Sequence, residues 1–385
     1  MKTPLALKAV LIASLSLLTI VILAGAWFFI QQYMPSAGNQ GDSDSGNARA
    51  QLDDAGAKIQ ELVAKGKYKQ ANAIYIENVP DMKKDFDKAW PLRSYFEQAF
   101  HKKSRERSND ESNSQRWQSL LDQKKYADLE RIYDDFVSSK SQRPNGEWNA
   151  SFFLTGVCLE EDPADDRWEP HIARLNDWIK SKPNSYLAKL LLARTMVDYA
   201  WHARGSGYAN TISDEGGKLF GTRLENALKT LMSISVRTPN WYSIRQTIAL
   251  GQGMDRAEYD KVVEEGRRKF PDFALIVTNK VYFLLPRWYG QEGDAERYLD
   301  SECSKLDKVH GDILYAQAAM KIETSIANAM NNCAFSWPRT KDGMLALIQK
   351  NPDWIYGRCL YSILAMEAGD KASANTAFDV SGKKQ

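Results

Sequence analysis

Two stretches of the chain repeat one another at an offset of 58 residues. Residues 61–79 read ELVAKGKYKQANAIYIENV, and residues 119–137 read SLLDQKKYADLERIYDDFV. Leu62 matches Leu120, Lys67 matches Lys125, Tyr68 matches Tyr126, Ile74 matches Ile132, Tyr75 matches Tyr133 and Val79 matches Val137, six identities in 19. Each block has helical apolar spacing on both sides of a short turn, near Gly66 in one and Lys124 in the other. A lone helix pair of this kind cannot bury its apolar face, so it requires a stacked neighbour. That requirement limits the chain to a body built by piling helices on helices.

The rest of the body agrees with it. Pro followed by Asn or Asp, with an aromatic within two residues, recurs at Pro183-Asn184-Ser185-Tyr186, Pro239-Asn240-Trp241-Tyr242, Pro271-Asp272-Phe273 and Pro352-Asp353-Trp354. Proline ends the preceding segment, and the Asn or Asp is expected to cap the next helix. Leu187, Leu190, Leu191 and Met196 then follow at helical spacing, as do Leu360, Ile363, Leu364 and Ala368. Residues 81–115 are expected to supply an intervening helix pair, with Trp90, Leu92, Tyr95, Phe96 and Phe100 on its apolar face. No alternating strand pattern of useful length is present. The twice-occurring hairpin resembles a tetratricopeptide-like helix pair, so the fold expected is all-α, a tetratricopeptide-like solenoid of stacked helix pairs.

One segment stands apart. Residues 9–30 carry no charge in 22 positions, opening at Ala9 and closing at Ile30. As a helix they would span roughly 33 Å, enough for a hydrocarbon core of about 30 Å. Lys2 and Lys8 precede the run and the next basic residue is Arg49, which orients the N-terminus to the cytoplasm and the body outside it. Ala24-Gly25-Ala26 offers the rival reading of a cleaved signal peptide, but the apolar run continues past it through Trp27-Phe28-Phe29-Ile30. The expected layout is a cytoplasmic tail over residues 1–8, a transmembrane helix over 9–30, a flexible Ser- and Gly-rich tether over 31–56, an N-terminal repeat region over 57–140 and a C-terminal helical domain over 141–380. In a Gram-negative cell this is a single-pass inner-membrane protein with a periplasmic body.

Cys158, Cys303, Cys333 and Cys359 form no C-x-x-C pair. In such a compartment they could pair in three ways or remain buried thiols. With 51 basic and 49 acidic residues, nothing draws the chain to nucleic acid, and the basic run of residues 101–107 reads as a solvated helix face or loop.

The densest stretch is Trp201-His202-Ala203-Arg204-Gly205-Ser206-Gly207-Tyr208. It ends one strongly helical segment and leads through glycines into another, capped by Ser213. Gly216, Gly217 and Gly221 would each weaken that next helix by about 1 kcal/mol, so a close neighbour is expected there, with Pro286-Arg287-Trp288-Tyr289-Gly290 the candidate. The stretch 199–209, the Phe220, Leu224 and Ala227 stripe, the 285–290 turn and Ala368-Gly369-Asp370 ahead of residues 372–378 together resemble a bacterial domain family of unknown function. That family pairs a Trp-x-x-Arg-Gly-x-Gly corner with a later Pro-Arg-Trp-x-Gly. The resemblance runs over about residues 182–378 and implies a helical, tetratricopeptide-related fold and no chemistry.

Catalytic signatures are missing. Gly217-Lys218 is followed by Leu219, so the phosphate-binding Gly-x-x-x-x-Gly-Lys-Ser/Thr pattern fails. Asp162 and its acidic neighbours lack calcium-loop spacing. The four histidines are not spaced as metal ligands, and there is no nucleophile elbow. Asp198, His202 and Ser206 lie four apart, yet could act together only if the helix ran on through Gly205. The expectation is therefore a membrane-anchored scaffold that binds a protein or peptide, without cofactor, metal or nucleic acid. Trp201, Arg204, Gly205, Gly207, Tyr208, Arg287 and Trp288 are its candidate binding surface or structural hub. The alternatives are an enzyme of unrecognised type and a structural or assembly component of the envelope.

Overall fold

The computed structural model describes residues 43–107, 110–159, 163–205 and 212–379. In chain order the helices are α1 (Ser43–Ala64), α2 (Tyr68–Asn78), α3 (Phe86–Arg107), α4 (Asp110–Asp122), α5 (Tyr126–Ser139) and α6 (Asn149–Val157). Next come α7 (Trp168–Ser181), α8 (Tyr186–Arg204), α9 (Asp214–Met232), α10 (Pro239–Gln252), α11 (Arg256–Lys269) and α12 (Leu275–Phe283). The last are α13 (Asp294–Cys303), α14 (Lys308–Ile326), α15 (Ala329–Asn332), α16 (Trp337–Lys350), α17 (Ile355–Glu367) and α18 (Lys371–Thr376). Among the described residues there is no strand, only an isolated bridge between Gln142 and Trp148. The uncharged run from Ala9 to Ile30 lies outside the described residues, within which no helix is long and apolar enough to cross a membrane.

The chain divides into two compact units. One takes residues 110–305 with 324–326; the other takes residues 43–107 with 306–323 and 327–379. The boundary expected near residue 140 matches neither edge. The physical reason is long-range burial: in the second unit α1–α3 find their covering helices at the far end of the sequence. Asn72 on α2 donates to the Ala374 carbonyl at 2.9 Å and accepts from Ser362 at 2.6 Å. Tyr75 stacks on Phe96 at 4.1 Å in a core that also takes in Cys359, Leu360, Ile363 and Leu364.

The expected tether also needs correction, because α1 starts at Ser43. Its apolar positions Leu52, Ala55, Ile59, Leu62 and Val63 follow helical spacing and join the core. Over residues 81–115, the structure forms α3 and the start of α4 where a helix pair was expected. Nothing after Pro91 breaks the helix, so α3 runs on through the basic stretch to Arg107.

The repeated hairpins turn on the same backbone. Gly66 at φ 73 and Lys124 at φ 57 are both left-handed. Each bonds back three residues, Gly66 to Val63 and Lys124 to Leu121, both at 3.0 Å. The following residue bonds back five, Lys67 to Leu62 at 2.8 Å and Lys125 to Leu120 at 2.9 Å. The matched leucines are thus matched acceptors and the matched lysines matched donors. Gly369 and Asp370 make the same turn onto Met366 and Ala365, at 3.1 and 2.8 Å.

Within the first unit, α4 and α5 stack on α7 and α8 in register. Tyr126 stacks on Trp178 at 4.8 Å. Lys124 reaches Asp177 at 3.1 Å and Lys182 reaches Glu130 at 2.8 Å, while Arg174 meets Asp122 and Tyr186 meets Asp134. These polar partners stand 52 or 53 residues apart, so the stacked pair here is offset by 52, not by the 58 of the sequence match. Exposed pairs of this kind fix register more than they add stability.

Three proline corners share one geometry. Lys182, Phe270 and Asn351 precede the prolines at φ −134, −133 and −131 and ψ 78, 67 and 71; a following proline disfavours the helical conformation there. Their carbonyls accept from Ser185, Phe273 and Trp354 at 3.0, 3.1 and 3.0 Å. The expected caps are not the ones used. α8 is capped by Ser185, which accepts from Ala188 at 3.2 Å, and α12 and α17 have no side-chain cap. Asn184, Asp272 and Asp353 sit at the tip of the turn, ahead of the capping position. The fourth proline differs again: Pro239 is the first residue of α10, and Asn240 points inward. Asn240 accepts from the Tyr133 hydroxyl at 3.0 Å and donates to Ser151 at 2.9 Å.

Candidate functional site

Trp201 lies in the last turn of α8, which stops because Gly205 stands at φ 71, ψ −179, a backbone state that only glycine adopts without strain. The indole is 4% exposed. It meets Phe220 of α9 edge-on at 5.0 Å and Trp288 edge-on at 5.9 Å, at 88° to the second indole. Its N–H is buried and finds no acceptor among the described residues.

Trp288 stands in the turn after α12, between Arg287 and Tyr289. That turn closes on Gly290, where an added Cβ would lie 1.7 Å from the Leu284 carbonyl oxygen. Tyr289 stacks on Phe283 at 4.8 Å, donates to the Leu250 carbonyl at 2.9 Å and is 39% exposed. The close approach expected at Gly216, Gly217 and Gly221 is found at Gly216, and the neighbour there is α8 and not the 286–290 turn. A Cβ on Gly216 would press the Ala203 carbonyl at 2.7 Å, while one on Gly217 would make only ordinary contact with Ile212 at 3.9 Å and Gly221 has open space. The glycine that lets helices close on this corner is Gly251, where a Cβ would come within 2.6 Å of Leu224 and 2.9 Å of Phe220.

Two guanidiniums cover the two indoles. The Arg204 Cζ is 5.3 Å from the Trp201 ring centre, and the Arg287 Cζ is 5.6 Å from that of Trp288. Such contacts contribute about 0.5–1 kcal/mol where water reaches them. Arg204 donates to the Gly205 carbonyl at 3.2 Å. Burial, and then the positive charge of Arg287, lower the Arg204 pKa. Arg204, Arg287 and Trp288 are half-buried. The structure therefore brings together Trp201, Arg204, Gly205, Arg287 and Trp288, while Gly207 and Tyr208 lie outside the described residues.

The spacing of Asp198, His202 and Ser206 does not build a relay. α8 ends before Ser206, Asp198 takes both its bonds from Arg194 at 2.8 and 2.7 Å, and His202 faces Asp165 at 2.6 Å. Among the described residues no group of three or more His, Cys, Asp or Glu is placed to hold a metal ion. All four cysteines are buried, and burial pushes the Cys158 thiol up to about 12.

The second unit holds a cluster that sequence reading missed. Arg93 and Glu97 on α3, Glu323 on α14 and Glu367 on α17 are all at most 2% exposed. Arg93 donates to Glu97 at 2.8 Å and to Glu323, and its Nε lies 3.8 Å from Glu367. Tyr356 donates to Glu97 at 3.0 Å, and the Ala329 N–H donates to Glu323 at 2.8 Å. Glu367 is least well served: the Met330 N–H reaches its Oε2 at 3.4 Å, and Oε1 has no hydrogen-bond partner. One cation therefore faces three carboxylates. Two carboxylates about 4 Å apart repel by about 4 kcal/mol at an effective dielectric near 20. Burial first, and then Glu323, push the Glu367 carboxyl well above the usual carboxylate range; burial also raises that of Glu97. The one local signal was the helical spacing of Arg93 and Glu97, which ordinarily marks a solvated pair.

No curated protein and no solved structure matches the chain. One family model does match, over residues 113–241. That span includes the α4–α5 hairpin, begins earlier than the resemblance in sequence did, and ends before Arg287 and Trp288. Over residues 113–241 the chain is thus similar to the family described as Domain of unknown function (DUF4034).

Proposed function

We propose that the protein is a membrane-anchored helical-repeat scaffold of the cell envelope that binds a protein or peptide at the Trp201–Trp288 corner. The observation that carries this reading is the pair of guanidiniums, Arg204 and Arg287, laid over perpendicular indoles. Arginine, tryptophan and tyrosine are the side chains that dominate protein-binding hot spots. Trp201 supplies the rigid, buried half; Arg287, Trp288 and Tyr289 supply the reachable half. The uncharged run from Ala9 to Ile30 supports the anchor, and the lysines before it support a cytoplasmic N-terminus and an extracytoplasmic body.

Site-specific photo-crosslinking in native membranes tests this reading. A photoreactive residue at Tyr289 is expected to give a discrete adduct that Arg287→Ala abolishes, with a control position at Lys261 giving none. Equal labelling at both positions, or an adduct indifferent to Arg287, would contradict it.

A further inference from the structure

The charge cluster of the second unit sits beneath a strained turn. Ala327 stands at φ 51, ψ 164, a backbone region that belongs almost wholly to glycine, and Asn328 follows at φ 53. Such residues persist only where their surroundings hold them. Here the next two N–H groups, of Ala329 and Met330, point at Glu323 and Glu367. The turn and the carboxylates are thus one structure.

The cluster cannot hold three negative charges. Arg93 and Glu97 face it from α3, Glu323 from α14, Tyr356, Cys359 and Glu367 from α17, and Tyr75 from α2. Arg93 is the one guanidinium in that set, and the His101 ring on α3 meets Tyr356 at 5.2 Å. Glu97 takes one guanidinium N–H and the Tyr356 hydroxyl, and Glu323 takes another guanidinium N–H and the Ala329 amide. Each has two donors. Glu367 does not: it lies against Glu323, its guanidinium contact is 3.8 Å, and one of its oxygens accepts nothing.

We propose that Glu323 and Glu367 share one proton at neutral pH, and that this proton keeps the turn at Ala327 and Asn328 docked on them. Glu367 is the acid and Glu323 the acceptor. Loss of the proton leaves two carboxylates in contact with no solvent, so one must leave, and the Met330 N–H loses its acceptor. The turn then gives up its strained geometry, which makes residues 327–332 the segment that responds to alkaline pH.

The sign follows from linkage. The native cluster holds a proton that an unfolded Glu, with pKa about 4.3, has already released above pH 5. Native protein therefore binds the extra proton, and the unfolding equilibrium constant rises about tenfold per pH unit from this source until the cluster deprotonates. Glu367→Gln mimics the neutral acid and keeps both an acceptor for Met330 and a donor for Glu323.

The experiment is denaturant unfolding of the full-length chain at pH 5, 6 and 7, wild type against E367Q, so that His171 and all other titrating groups cancel in the ratio. The ratio of wild-type to variant unfolding constants should rise about a hundredfold from pH 5 to 7, and hydrogen exchange at Ala329 and Met330 should keep its protection in the variant. A ratio independent of pH would overturn the proposal. If E367Q does not fold, infrared spectroscopy of the wild type decides instead. The native protein must show a protonated-carboxyl C=O band at pH 7 that E323Q shifts or removes; a native spectrum without that band overturns the proposal equally.

Discussion

The Trp201–Trp288 corner and the Arg93 cluster both place arginine against a demanding neighbour, and they do so in opposite ways. In the corner, Arg204 and Arg287 lie over indole faces and keep part of their surface in water. In the cluster, Arg93 is fully enclosed and faces acids from three helices, two of which accept its N–H groups. A half-wet guanidinium on an aromatic face can be exchanged for a ligand at little expense. A dry one with three carboxylates cannot be disturbed without leaving bare charge in the interior. The corner is suited to recognition, and the cluster to holding a fold together.

Substitutions sharpen that contrast. Arg93→Met should have the largest effect, because it strands the carboxylates: removing one partner of a buried ion pair typically destabilises by about 3–5 kcal/mol, read by denaturant unfolding. Trp201→Ala belongs to the buried half of the corner and should lose about 3–4 kcal/mol through the cavity it opens, with Trp288→Ala losing clearly less. Were the two tryptophans to prove equal, the distinction between a buried and a reachable half would fail.

His171 is a third answer to the same problem, since it stays buried by giving up its charge. Burial, and then Arg174, lower its pKa to about 4, and its Nδ1 lies 3.1 Å from the Arg174 guanidinium. Unfolded histidine has a pKa near 6.5, so the unfolded chain binds the extra proton between these values. Stability from this source is complete above pH 6.5 and is lost as pH falls toward 4, by roughly 3 kcal/mol in all. Thermal melts from pH 7 to 4 should show that fall, and His171→Leu should flatten it.

The smallest effect is expected at Lys124, a non-glycine in the left-handed position that Gly66 fills in the matching turn. Lys124→Gly should be stabilising by about 0.5–1 kcal/mol, because the folded-state relief at positive φ outweighs the entropy that glycine adds to the unfolded chain. A loss of stability would show that Lys124 contributes more through Asp177 than its exposed ion pair implies.

What could be read from the sequence was whatever is decided within a few residues. The turns at Gly66 and Lys124, the end of α8 at Gly205 and the breaks at Pro183, Pro271 and Pro352 all rest on local backbone chemistry. The α8 cap was misplaced by one residue, since Asn184 and Ser185 are equally good cap types and only the turn geometry separates them. Gly251 has no neighbour in sequence that signals the approach of Leu224 and Phe220, so its role in admitting them went unseen. The pairing of Trp201 with Trp288 could be anticipated because two rare Trp and Arg motifs stand out against their surroundings. The Arg93 cluster could not, because Glu323 and Glu367 reach it across more than 200 residues and look like ordinary surface acids where they stand.

The most direct measurement is a paired determination of unfolding free energy for Arg93→Met and Arg287→Ala in the full-length chain. The account predicts a loss of at least 3 kcal/mol for the first and a change within about 0.5–1 kcal/mol for the second. Comparable large losses at both positions would contradict it, since the corner would then be structural hub rather than binding surface.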